Sequence, residues 1–280
     1  MEQLVTTEWL AAELGAPDLS IIDATLLLSE HGRDARAEFE AAHIPGAVFM
    51  DLTEIVDTDH PVPGMLPPEH KFASRMQSLG LKDGNRFVVY DNSPLRSATR
   101  AWWMLKTFGA HYVAVLDGGL AKWQAEGRPL ESGRPNVRHG HFTPMIDSDA
   151  VAGKDHVSTL LHSASHEIVD ARSAGRFAGD EPEPREGVEP GHIPGSKNLH
   201  YASLFNADGT WKQGEELRGA FAAANVDLGK PMVATCGSGV TAASLLFGAG
   251  LLGKKDVKLY DGSWAEWGAD PATPKAKGRV

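Results

Sequence analysis

Met232-Val233-Ala234-Thr235-Cys236-Gly237-Ser238-Gly239-Val240-Thr241-Ala242-Ala243-Ser244-Leu245-Leu246-Phe247 decides how this chain is read. A short apolar run, a glycine-rich loop headed by a thiol, and a helical pattern beginning near Val240 make the strand–loop–helix half of a βαβ unit. Amide N–H groups that converge at a helix N-terminus accommodate an anion. A thiol set there is favoured as thiolate, the nucleophilic form. A lone cysteine is more commonly a buried, inert side chain. The two glycines and the strand–loop–helix setting reverse that preference, and Cys236 is the candidate nucleophile.

Composition bounds the rest. The chain has 280 residues, room for two domains with cores of their own. Hydrophobic residues at 42% and charged residues at 23% are ordinary for a globular protein. The longest apolar stretch, over 241–253, is too short to span a bilayer and stops at Lys254-Lys255, so no membrane association is expected. The N-terminal residues lack the basic patch and apolar core of a signal peptide. With one cysteine there is no internal disulfide, which suits a reducing compartment, and the expected location is cytoplasmic. A net charge of −10 argues against nucleic acid as a partner, so an anionic substrate must be held by a few local arginines. The 12 histidines show no ligand spacing; His139-Gly140-His141 lies in a Gly-, Pro- and Arg-rich stretch. Neither a metal site nor a cofactor is expected.

The two halves repeat each other. Ile21-Ile22-Asp23-Ala24 answers to Ile168-Val169-Asp170-Ala171, and His43-Ile44-Pro45-Gly46 to His192-Ile193-Pro194-Gly195. Leu116-Asp117-Gly118-Gly119-Leu120-Ala121-Lys122-Trp123 answers to Tyr260-Asp261-Gly262-Ser263-Trp264-Ala265-Glu266-Trp267. The offset drifts by only a few residues, which means one domain copied in tandem and a period far longer than a solenoid's. In the first half the pattern predicts strands over 21–25, 87–91 and 112–117, a shorter one near 47–52, and helices near 7–14, 68–79, 98–108 and 120–126. Gly15, Gly80 and Gly109 follow helical patterns as C-terminal caps. Strand–helix alternation predicts an α/β fold in which each copy is a parallel sheet with helices on both faces. The expected domains are 1–130 and 146–280, joined by a linker over 131–145 where glycine and proline interrupt periodicity.

The duplication is also a control. Asp91 stands opposite Cys236, and the loop after it has neither thiol nor glycine. The scaffold therefore does not need the cysteine, and chemistry belongs to the second copy. Gly237-x-Gly239-x-x-Ala242 also fits a loose dinucleotide fingerprint, but too few residues follow Asp261 for the remaining strands. A cysteine phosphatase or arsenate reductase would place an arginine where Ala242 stands. A cysteine–histidine protease would need a general base that the sequence does not locate.

These residues resemble the rhodanese superfamily, most closely its 3-mercaptopyruvate sulfurtransferase branch. The resemblance runs from about Leu4 to Trp267 and includes both His-Ile-Pro-Gly turns, Arg100-Ala101-Trp102-Trp103, Asp117-Gly118-Gly119 and, most specifically, Cys236-Gly237-Ser238-Gly239-Val240-Thr241. It implies two tandem rhodanese-like domains, the first inactive. It implies transfer of a donor's sulfur to Cys236 as a persulfide, with release of pyruvate. The acceptor would be cyanide, a small thiol or a thioredoxin-like protein. Thiosulfate-using relatives carry basic side chains in the loop; here Gly237 and Ser238 are uncharged, which matches the mercaptopyruvate type. Catalytic roles fall to Cys236 and Ser238, and donor contacts to Gly237, Gly239, Val240 and Thr241. By the same resemblance Arg176 and Arg185, in 171–185, hold the donor's carboxylate and keto oxygen, as bidentate guanidinium chemistry suits. Arg172 is expected to pair with a neighbouring Asp or Glu. His43 and His192 occur in both copies, which makes a structural role the better reading. The chain departs from the family at Gly64 and Thr53, where a histidine and an aspartate would relay with the loop serine; His60 lies nearby. Two alternatives stay open, a thiosulfate sulfurtransferase and a non-catalytic sulfur-carrier or interaction module.

Overall fold

Apolar runs uninterrupted by alternation belong to strands covered on both faces, and the runs noted above take that place in the chain. The computed structural model describes residues 1–161 and 165–279. It falls into two units, each with a five-stranded sheet whose pairings are all parallel.

The first unit contains β1 (Leu4–Val5), β2 (Leu19–Asp23), β3 (Ala47–Phe49), β4 (Arg86–Tyr90) and β5 (Tyr112–Leu116), in the order β1-β5-β4-β2-β3. Its helices are α1 (Thr7–Glu13), α2 (Ala35–Ala41), α3 (Glu69–Ser78), α4 (Ala98–Thr107) and α5 (Gly119–Ala125). The second unit contains β6 (Val151–Ala152), β7 (Glu167–Asp170), β8 (Lys197–Asn198), β9 (Met232–Thr235) and β10 (Val257–Tyr260), in the corresponding order β6-β10-β9-β7-β8. Its helices are α6 (Lys154–Leu160), α7 (Ala174–Ala178), α8 (Gly214–Ala223), α9 (Ala242–Leu251) and α10 (Ser263–Trp267). Corresponding cores contain Tyr90 and Trp123 in one unit, and Tyr260, Trp264 and Trp267 in the other.

The expected elements of the first half are present, with ends shifted by one to three residues, the largest shift being at the strand expected near 47–52, which ends at Phe49. Gly15, Gly80 and Gly109 take left-handed φ values of 82°, 75° and 93° after their helices. Two elements lacked a readable pattern. β1 is two residues long and is fixed only by its partner β5, and α2 is a short helix capped by the Asp34 carboxylate. α9 starts at Ala242 rather than near Val240, because Val240 and Thr241 still belong to the loop's closing turn. The 131–145 stretch, read as a linker, has no helix or strand but runs along the first unit. Glu131 bridges His43, Gly140 N–H donates to the Gln77 carbonyl, and Phe142 is buried against Phe72. Two short segments cluster out of chain order: Asp57–Met65 belongs to the second unit and Ala207–Trp211 to the first.

This topology positions the site. From β7 the chain crosses to β8 on one side, and the strand on the other side, β9, leads on to β10. The carboxyl ends of β7 and β9 therefore flank a switch point, where open parallel sheets leave a crevice. Cys236 follows β9, and the 171–176 segment follows β7.

Candidate active site

The thiol loop is pinned from behind. Trp264 N–H donates to the Cys236 carbonyl (2.9 Å) and Ala265 N–H to the Gly237 carbonyl (3.0 Å), both from the first turn of α10. Cys236 N–H donates to Ser263 Oγ (3.2 Å), which itself donates to the Tyr260 carbonyl (2.7 Å). Gly239 turns the loop at φ 76°, a left-handed conformation suited to glycine. α9 behind it is buried almost throughout, as a helix without a polar face must be. Cys236 is only 2% exposed.

The first copy keeps this frame and fills it differently. Leu120 N–H donates to the Asp91 carbonyl (3.0 Å), the counterpart of the Trp264–Cys236 bond. The Asp91 carboxylate folds back on its own loop, accepting from Ser93 N–H (3.1 Å) and Ala98 N–H (2.6 Å). Burial pushes this carboxyl's pKa up, while those two amides hold it down. The amides that could meet a foreign anion already hold one of the chain's own.

Three arginines follow β7, each with a different role. Arg172 is buried and committed: its guanidinium donates to Asp170 (2.6 Å), to Glu183 (2.7 Å) and to the Gly191 carbonyl (2.8 Å), and lies 4.6 Å over the Trp264 ring. Arg176, on α7, pairs with Glu183 at 2.5 Å and keeps part of its side chain exposed. Its guanidinium reaches the thiol loop, since an ideal Cβ on Gly237 would lie 3.0 Å from Arg176 Nη2. Glycine at 237 is what permits that approach. Arg185 is solvent-accessible. Desolvation of its guanidinium lowers its pKa, the Cys236 sulfur opposes that effect, and the Arg176 charge adds to it. Arg176 thus meets the thiol loop directly, Arg185 lies within electrostatic reach of its sulfur, and Arg172 is held by Asp170 and Glu183.

Other expected residues divide. An ideal Cβ on Gly64 would lie 3.9 Å from the Ser238 carbonyl, so this position borders the loop, as the resemblance implied. Thr53 is turned to Asp51, and His60 Nδ1 accepts from Val62 N–H (3.1 Å) within its own turn. His43 and His192 are buried and stacked on Phe39 and Phe177, each with Nδ1 bonded to a carbonyl oxygen (2.7 and 2.8 Å). Their places are structural. Sequence reasoning passed over Glu183, which links Arg172 to Arg176, and over Ser263 and Trp264, which hold the loop. The second Asp-Gly motif pointed to the latter pair, because its counterpart in the first copy follows the equivalent strand. Among the described residues no cluster of His, Cys, Asp and Glu could hold a metal ion, and no helix is long and apolar enough to cross a membrane.

Comparison with known proteins agrees with this geometry. A family model described as a rhodanese-like domain matches residues 6–126 and again 154–270. The 3-mercaptopyruvate sulfurtransferase of Mus musculus is 44% identical over 270 residues, covering 94% of this chain and 91% of that protein. The thiosulfate sulfurtransferase of Cricetulus griseus is 40% identical over 285 residues, covering 99% and 96%. The crystal structure of SseA from Escherichia coli, a 3-mercaptopyruvate sulfotransferase, superposes with a TM-score of 0.87 at 39% identity, covering 94% of this chain and 99% of that one.

Proposed function

The chain belongs to the rhodanese family, and on that premise we propose that it is a 3-mercaptopyruvate sulfurtransferase working through a persulfide on Cys236. The observation that carries the reading is the approach of Arg176 to an uncharged Cys-Gly-Ser-Gly loop, with Arg185 within electrostatic reach of the same sulfur. A donor with one carboxylate and a keto oxygen needs guanidinium partners outside the loop, and a dianion would need charge within it.

The Cys236 thiolate attacks the donor sulfur, the S–S bond forms, and the S–C3 bond breaks with its electron pair leaving as the enolate of pyruvate. Arg176 and Arg185 hold the carboxylate and the enolate oxygen, so charge that develops on the leaving group meets fixed positive charge. The enolate carbon takes a proton to give pyruvate, and Ser238 orients the donor sulfur or passes that proton. The persulfide, deprotonated, rests against the amides of 237–241. A thiolate or cyanide then attacks the outer sulfur and returns Cys236 as thiolate. Thioredoxin-like proteins and small thiols fit this second step. A chain with a single thiol suits a reducing compartment, and we read the location as cytoplasmic.

Intact mass after donor treatment tests the proposal. One added sulfur is expected on the wild type, none on Cys236→Ser, and kcat/KM should favour 3-mercaptopyruvate over thiosulfate. Sulfur on the serine variant would overturn the nucleophile. Equal efficiency with both donors would overturn the donor assignment and favour the thiosulfate reading, which the Cricetulus griseus relative keeps in view.

A further inference from the structure

Behind the thiol loop, charges alternate in a line. Asp170 binds Arg172, Arg172 binds Glu183, and Glu183 binds Arg176, whose guanidinium lies against Gly237. Glu183 is the pivot. Its side chain is 4% exposed, its Oε1 accepts from Arg172 (2.7 Å), and its Oε2 accepts from Arg176 (2.5 Å). Two guanidiniums share this secluded carboxylate and offset the cost of burying its charge. Including Arg185, the group holds three guanidiniums against two carboxylates and the Cys236 thiolate, so its charges balance before a donor binds. Glu181, the next acid, is exposed and accepts from Ser173 Oγ (3.2 Å), so water screens its charge.

We propose that Glu183 is a specificity-determining positioning residue: it fixes Arg176 against the loop and trims the site's positive field, which disfavours a dianionic donor more than a singly charged one. This inference rests on the mercaptopyruvate reading and adds a cause that lies outside the loop. A monocarboxylate donor adds one negative charge to this balanced group and thiosulfate adds two, so the dianion meets the greater repulsion. Removing the Glu183 charge while keeping its shape adds one positive charge within a side chain's length of the bound donor. By Coulomb's law at an effective dielectric of about 20 and a separation of about 7 Å, that charge favours a dianion over a monoanion by roughly fiftyfold, and screening by water and salt at a site open to solvent brings this to on the order of tenfold.

The test compares Glu183→Gln with Glu183→Asp and the wild type in the full chain. Glu183→Gln should raise the kcat/KM ratio of thiosulfate to 3-mercaptopyruvate by about tenfold, chiefly through KM for thiosulfate, and Glu183→Asp, which keeps the charge, should restore the wild-type ratio. Protection of Cys236 from iodoacetamide gives a readout independent of turnover. Sulfate should protect Glu183→Gln at about tenfold lower concentration than it protects the wild type, and pyruvate should gain much less. On the wild type itself pyruvate should protect better than sulfate at low ionic strength, a result that no misfolded variant can obscure. Equal losses with both donors in Glu183→Gln, the same change in Glu183→Asp, or better protection of the wild type by sulfate would each overturn the proposal. Failure of 3-mercaptopyruvate as a donor with the protection pattern intact would overturn only the donor reading.

Discussion

Gly237→Ala probes the approach of Arg176 to the thiol loop with a single methyl group. The backbone at 237 lies outside the left-handed region, so alanine fits it without strain. The added Cβ would stand 3.0 Å from Arg176 Nη2 and 3.5 Å from Nη1, so the guanidinium has to retreat by a few tenths of an ångström. It cannot retreat freely, because Glu183 holds it at 2.5 Å and Glu183 is itself held by Arg172. Misplacement of a binding group by ~1 Å costs about a hundredfold, so a shift of this size should lower kcat/KM for 3-mercaptopyruvate by about fivefold to tenfold. Steady-state kinetics with the donor varied, together with the iodoacetamide reaction rate of Cys236, make the assay. The alkylation rate should hold, since a neutral reagent does not use Arg176. In an Arg176→Ala background the methyl group should cost little more, because the group it displaces is gone. Unchanged donor kinetics, or an undiminished loss in the Arg176→Ala background, would refute the idea that Arg176 acts at the loop.

Arg185→Ala should lower kcat/KM for 3-mercaptopyruvate by about tenfold to a hundredfold, the loss of a charge-assisted hydrogen bond, with a smaller effect on thiosulfate; equal losses would count against carboxylate binding. Arg172→Ala strands Asp170 and Glu183, both nearly inaccessible, and should destabilise the second unit by about 3–5 kcal/mol in urea unfolding. In the first unit Asp23 occupies the position of Asp170 with no arginine beside it, and burial pushes its pKa up to about 6 from 3.8. Its protonated form is the stabilising one, so this contribution is complete at low pH and is lost as pH rises through about 6. Asp23→Asn should therefore match the wild type in stability near pH 4 and exceed it at pH 7.5 by up to about 3 kcal/mol. A difference between the two unfolding curves that does not grow with pH would refute that account.

Much of the fold was legible because its signals are local. A four-residue apolar run flanked by glycine is a buried strand wherever it is placed, and two such sets in register reveal a duplication. Cys236 was legible for the same reason, since strand, glycines and helix lie within one short stretch and Asp91 supplies the contrast. β1 and α2 were not. A two-residue strand such as Leu4–Val5 has no periodicity, and only the neighbouring Val115–Leu116 edge makes it one.

The sequence by itself determined the tandem α/β plan and brought out the proposed nucleophile Cys236 and the arginines that follow β7. It could not rank those arginines, because Arg172 and Arg176 differ by one helical turn in sequence and by their whole environment in space. Only the tertiary structure decided that Asp170 and Trp264 take Arg172 out of reach, while Gly237 admits Arg176 to the loop. Only there did Glu183 emerge, as the carboxylate joining the two. Hydrogen bonds and ion pairs in a packed interior depend on which side chains the fold brings within about 3 Å. Composition and spacing fix which groups exist, and packing across the β7–β9 switch point fixes which of them meet.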